Sequence, residues 1–104
     1  MIEVGVIERA DRSVRGLITL DAGAITYAEF DGRGTERGSL ALSRVAALRI
    51  AAPRWYSLDR QPRLVLTLTD GSRWTLAVSE PERWLTAILE ATAPRSPQVL
   101  RRST

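Results

Sequence analysis

Arg63-Leu64-Val65-Leu66-Thr67-Leu68-Thr69-Asp70-Gly71-Ser72-Arg73-Trp74-Thr75-Leu76-Ala77-Val78-Ser79-Glu80-Pro81-Glu82 is the stretch that decides the fold of this chain. Leu64, Leu66 and Leu68 fall on one face of a period-two run, and Trp74, Leu76 and Val78 on one face of the next, the alternation of two half-buried strands. Asp70-Gly71 between them predicts a type I′ hairpin corner, where glycine accepts the left-handed backbone the turn requires. A helix opens directly afterwards. Ser79 is placed to accept from a first-turn amide, Glu82 to reach back as in a capping box, and Pro81 sits where no amide partner is needed. Leu85, Ile88, Leu89 and Thr92 then recur on one helical face with Trp84 at its edge, and Pro94 ends the helix. Trp74 and Trp84 are in phase with the apolar faces of their elements and are assigned to the core.

Upstream, the same alternation repeats. Ile2, Val4 and Val6 mark a first strand ending near Glu8, and Val14, Gly16, Ile18 and Leu20 a second, the two pairing through a loop from Arg9 to Ser13. Asp21-Ala22-Gly23 is a tight turn into a third strand from Ala24 to Phe30, in which Tyr27 and Phe30 differ in parity. Asp31-Gly32-Arg33-Gly34 turns the chain into a fourth strand from about Glu36 to Leu42. Val45 to Ala52 reads as a fifth strand with Leu48 and Ile50 inward, although its alanines also permit a helical turn. Pro53 to Pro62 is a long loop, and the two strands of the opening stretch bring the total to seven. One open sheet would expose an apolar face too broad for one helix, so the strands must close into a barrel with the helix over the gap.

A chain of 104 residues fits one domain with one core. Residues 1–93 form that domain, and 94–104 a basic, unstructured tail. Cysteine and histidine are both absent. Disulfides, thiolate metal sites and a cysteine nucleophile are thereby excluded, and the commonest general base and metal ligand is missing. The acids Asp11, Asp21, Asp31, Glu36, Asp59 and Asp70 lie at turns or their margins, which explains them without catalysis. The expectation is a non-enzyme with no cofactor and no metal site. Residues 1–8 resemble no leader, and no apolar stretch approaches the roughly 20 residues that cross a bilayer. The expected location is cytoplasmic, at most peripheral to the inner membrane. All 15 basic residues are arginine, and the net charge is +3. Arg95, Arg101 and Arg102 supply that whole excess, so the body is neutral and nucleic acid is an unfavoured partner.

Seven antiparallel strands followed by one amphipathic C-terminal helix is an order that resembles the pleckstrin-homology-like (PH/GRAM-like) barrel superfamily and its bacterial members. The resemblance is carried by Gly16-Leu17-Ile18-Thr19-Leu20 with Ala24-Ile25-Thr26-Tyr27, by Leu64 to Leu76, and by the helix, and it spans about residues 2–92. It implies a mainly β, seven-stranded orthogonal sandwich or barrel capped by one helix. It also implies a binding module that recognises protein or its own copy, or an anionic membrane surface.

Two loops are the candidate sites. In lipid-binding members of the superfamily, the loop between the first two strands carries basic residues that grip inositol phosphates. Arg9, Arg12 and Arg15 occupy the corresponding region here and are the anionic-lipid candidates. No basic-x-basic pair is present, and Glu8 and Asp11 offset the charge. The second loop sets Trp55, Tyr56 and Leu58 between Arg54 and Arg60, and tryptophan, tyrosine and arginine are the residue types that anchor protein interfaces. These five are the partner-binding candidates for a protein partner or a homo-oligomer.

Overall fold

The computed structural model describes residues 1–9, 12–21, 23–29, 37–52, 62–92 and 97–99. The first four strands form a meander: β1 (Ile2–Arg9), β2 (Arg12–Leu20), β3 (Ala24–Glu29) and β4 (Arg37–Ala41). A 3₁₀ turn at Leu42–Arg44 leads to a second meander of β5 (Val45–Ala51), β6 (Arg63–Leu68) and β7 (Arg73–Ala77). The helix α1 (Pro81–Thr92) follows, and a two-residue strand, β8 (Gln98–Val99), comes last. The hydrogen-bonded order is β4-β3-β2-β1-β7-β6-β5-β8, antiparallel throughout except for the parallel β5–β8 pair.

The sheet curls into a half-barrel because both meanders are apolar on the same side. Ile7, Ile18, Ile25 and Leu40 from the first and Leu48, Leu64, Leu66 and Leu76 from the second are all at most 1% exposed and belong to one cluster. The two meanders meet at β1. Its whole length pairs with β2, whereas only Val6 to Arg9 pair with β7. Gly5 and Gly16 face each other across the β1–β2 ladder. A side chain at Gly16 would run into the backbone of Ala28 on β3, so the tight approach of these strands depends on its absence.

Helix α1 covers the open side, packing on β5, β6 and the 3₁₀ turn. Its buried residues are Pro81, Trp84 and Ile88, with Leu85 and Leu89 partly buried. Trp84 therefore lies at the centre of the packed face instead of its predicted edge. The predicted capping box also does not form through Ser79. The Ser79 amide and hydroxyl both donate to Glu3 on β1 (2.9 and 3.0 Å), and the Glu80 carbonyl accepts the first turn's amides from Arg83 and Trp84. The helix begins at Pro81, so Glu80 stands at the N-cap position and Ser79 one residue too early to cap the first turn.

The Asp70-Gly71 corner is a hairpin turn of a different type. Gly71 N–H donates to Leu68 O (3.0 Å) and Leu68 N–H to Ser72 O (2.8 Å), a three-residue loop in which Gly71 takes φ +88°. This is a type I turn closed by a left-handed glycine. Asp70 stabilises it by accepting from the Ser72 amide (2.9 Å) and hydroxyl (2.6 Å). The strand between Val45 and Ala51 forms as a strand, with Leu48 and Ile50 buried as expected. Gln98 and Val99, assigned from sequence to an unstructured tail, instead pair with Ala47 and Leu48 along the edge of β5.

Candidate binding surfaces

Strand parity separates the three arginines expected to act together. The predicted Arg9–Ser13 loop is shorter than expected: β1 runs to Arg9, β2 starts at Arg12, and these two residues are register partners. Arg9 continues the inward face of Ile7, and Arg12 that of Val14, while Arg15 lies on the opposite face with Leu17.

Arg9 ends in an aromatic setting. Its guanidinium carbon sits 5.5 Å from the ring centroid of Tyr27 and 5.4 Å from that of Trp74. The two rings meet edge to face, 5.9 Å apart at 67°. Such stacking is worth about 0.5–2 kcal/mol, depending on desolvation. Tyr27 and Trp74 are both buried. The Tyr27 ring lies over Gly38, its register partner on β4, and a Cβ at position 38 would collide with the ring. The Tyr27 hydroxyl is buried without a hydrogen-bond partner, the only such side-chain atom among the described residues. Nothing in the sequence linked Arg9 to Tyr27 and Trp74, although all three lie on inward positions of their strands.

The other end of β1 is fully satisfied. Glu3 accepts from Ser79 through one oxygen and from Trp84 Nε1 (2.6 Å) through the other. Burial on its own raises the Glu3 pKa. The hydrogen bonds from Ser79 and Trp84 and the nearby Arg83 charge outweigh it, so the carboxyl titrates below the ordinary glutamate range.

The outer side of the first meander is a different surface. Ile2 is 60% and Val4 46% exposed there. Val4 is in register with Leu17, Leu17 with Ala28, and Ala28 with Arg37, which makes one continuous apolar row ending in a cation. Beside it, a shallow groove of about 440 Å³ is lined by Leu17, Thr19, Thr26, Ala28, Arg37 and Ser39. Glu8 lies farther along β1 on the same side and is paired with Arg63 of β6. Trp55, Tyr56, Leu58, Arg54 and Arg60 lie outside the described residues, as does Phe30. No three of the described acidic residues gather as a metal site would require, and no described helix is long and apolar enough to cross a membrane.

A curled seven-stranded antiparallel half-barrel with one C-terminal helix is the PH-like fold, and solved structures agree. The chain is similar to the Vps36 N-terminal PH domain (TM-score 0.69, 22% identity, 88% of this chain and 75% of that one). It is also similar to the hSac2 domain from human phosphoinositide phosphatase Sac2 (TM-score 0.64, 14% identity, 99% and 79%). The Spt16D Pob3N heterodimer contains a third such chain (TM-score 0.63, 12% identity, 99% and 56%). No protein-family model matches the sequence, and no curated protein matches it.

Proposed function

We propose that this chain is a non-catalytic binding module, residues 1–93 with a short basic extension, that mediates contact with another protein. The outer side of β1 and β2 acts together with the aromatic segment Trp55, Tyr56 and Leu58, flanked by Arg54 and Arg60. The observation that carries the reading is the exposed pair Ile2 and Val4, continuous with Leu17, on a domain whose core is already complete on the inner side. Contiguous exposed apolar residues mark interaction surfaces. A PH-like neighbour found in a heterodimer supports the same reading.

The arginine arrangement gives the anionic-lipid alternative no support, since Arg9 is stacked on two rings and Arg15 lies on the opposite face from Arg12. A photo-crosslinking residue at position 4, and separately at position 55, is expected to trap a discrete protein in the cell that makes the chain. The same residue at exposed position 90 on the helix is expected to trap none. Equal labelling at 4, 55 and 90, or none at all, overturns the reading. Sedimentation with phosphatidylglycerol vesicles that is lost in Arg12→Ala transfers the function to lipid. Light scattering that shows a dimer lost in Val4→Thr makes the partner a second copy.

A further inference from the structure

Two arginines on the outer side of the first meander have no counter-charge among the described residues, and their positions bear on what the partner carries. Arg15 and Arg37 are exposed, and neither makes an ion pair or a hydrogen bond with any described residue. By contrast Arg44 is paired with Asp70, Arg63 with Glu8 and Arg83 with Glu80. Among the described residues, the acid on that side of β1, Glu8, is therefore already engaged. Arg37 closes the row that runs through Ala28 and Leu17 to Val4, and Arg15 precedes Leu17 by two residues on the same face of β2. Two strand spacings across and two residues along place the two Cα atoms roughly 12 Å apart. Leu17 and Ala28 lie between them, and the groove of about 440 Å³ opens on the other side of that row, with Arg37 on its lining.

We infer that this face receives a segment of another protein in which apolar side chains are interspersed with carboxylates, the apolar groups seating over Leu17 and Ala28 and the carboxylates meeting Arg15 and Arg37. The inference rests on the protein-binding reading above and specifies the chemistry of the partner. A second copy is a poor occupant. An isologous contact brings the same patch against itself, so the described residues would set Arg15 and Arg37 against a like-charged surface, with Glu8 already paired to Arg63. A bilayer is also a poorer fit, because a groove receives a side chain and a lipid surface presents none.

The test uses fluorescence anisotropy on the full chain with three labelled synthetic peptides of equal length, in which leucine alternates with aspartate, asparagine or lysine. The aspartate peptide is expected to bind about tenfold more tightly than the asparagine peptide, the worth of two exposed charge pairs, and to weaken as salt rises. The lysine peptide is expected not to bind. The Arg15→Gln/Arg37→Gln variant, whose exposed sites make misfolding a remote outcome, is expected to bind the aspartate and asparagine peptides alike.

Equal binding of those two peptides by the unaltered protein, with both lost in Val4→Thr, overturns the acidic preference and leaves the protein-binding reading standing. Binding of no peptide overturns the inference. If phosphatidylglycerol vesicles then bind in an Arg37-dependent way, the protein-binding reading falls with it.

Discussion

The two ends of β1 hold the two core tryptophans in opposite ways. At the Glu3 end, Trp84 is completely buried, yet its indole N–H reaches a carboxylate that also binds the Ser79 amide and hydroxyl. At the Arg9 end, six residues and roughly 20 Å along the strand, Trp74 is held by ring contacts. A guanidinium stacks on it, Tyr27 meets it edge to face, and the Tyr27 hydroxyl goes unpaired. One end locks the helix onto the sheet through directional bonds whose polar atoms are all satisfied. The other is held by contacts that tolerate small displacements and carries an unmet desolvation cost. A core can thus bury its largest side chains by two routes: at the Glu3 end the indole itself ties down the helix, whereas at the Arg9 end the backbone ladder to β7, and not the Trp74 ring, fixes the neighbouring element.

The largest effect expected at the closed end is for Trp84→Ala, which removes the centre of the helix–sheet contact. It should cost about 3–5 kcal/mol in urea unfolding. Glu3→Ala leaves the Trp84 N–H buried without an acceptor and should cost about 2–3 kcal/mol. Because the folded Glu3 pKa lies below its unfolded value, its contribution is complete above about pH 4.3 and fades as the pH falls through the folded pKa. Unfolding followed from pH 7 to pH 3 should therefore show a steeper acid loss in the unaltered protein than in Glu3→Gln. Arg9→Met keeps the aliphatic contact and loses the cation, for a cost of about 1 kcal/mol. The smallest change reverses the sign: Tyr27→Phe removes an unpaired buried hydroxyl and should leave the protein as stable or up to about 1 kcal/mol more stable. A clear destabilisation by Tyr27→Phe would erase the contrast between the two ends.

Most of the strand framework was legible because period two is written directly in the side chains. Leu64, Leu66 and Leu68, or Ile18 and Leu20, allow few alternatives once one face must be buried. What the sequence did not disclose was any interaction set by closure of the sheet. Glu3 meets Ser79 and Trp84 only because β1 lies beside the end of β7, and Ser79, one residue short of the N-cap position, donates to it. Arg9 reaches Tyr27 and Trp74 for the same reason. The hairpin type at Asp70-Gly71 was missed because the dipeptide fits both a two-residue corner and a three-residue one, and the second uses the Asp70 carboxylate to hold Ser72. The outer apolar row was only partly readable. Val4 and Leu17 are apolar like core residues, and parity alone does not say which side of a two-sided apolar strand is covered.

The β1–β7 ladder has a kinetic meaning as well. Each meander consists of hairpins between neighbours in sequence, whereas Val6 to Arg9 must find Trp74 to Ala77 across nearly the whole chain. Among the described residues, that short ladder is the one strand pairing between the two halves of the sheet, and the turn at Leu42–Arg44 carries the chain from one half to the other. Loop-closure entropy opposes the long-range pairing far more than the hairpins, so each meander should gather its own hydrogen bonds early, with the ladder zipping up late. The strand at the centre of the finished sheet is thus the seam at which its assembly is completed.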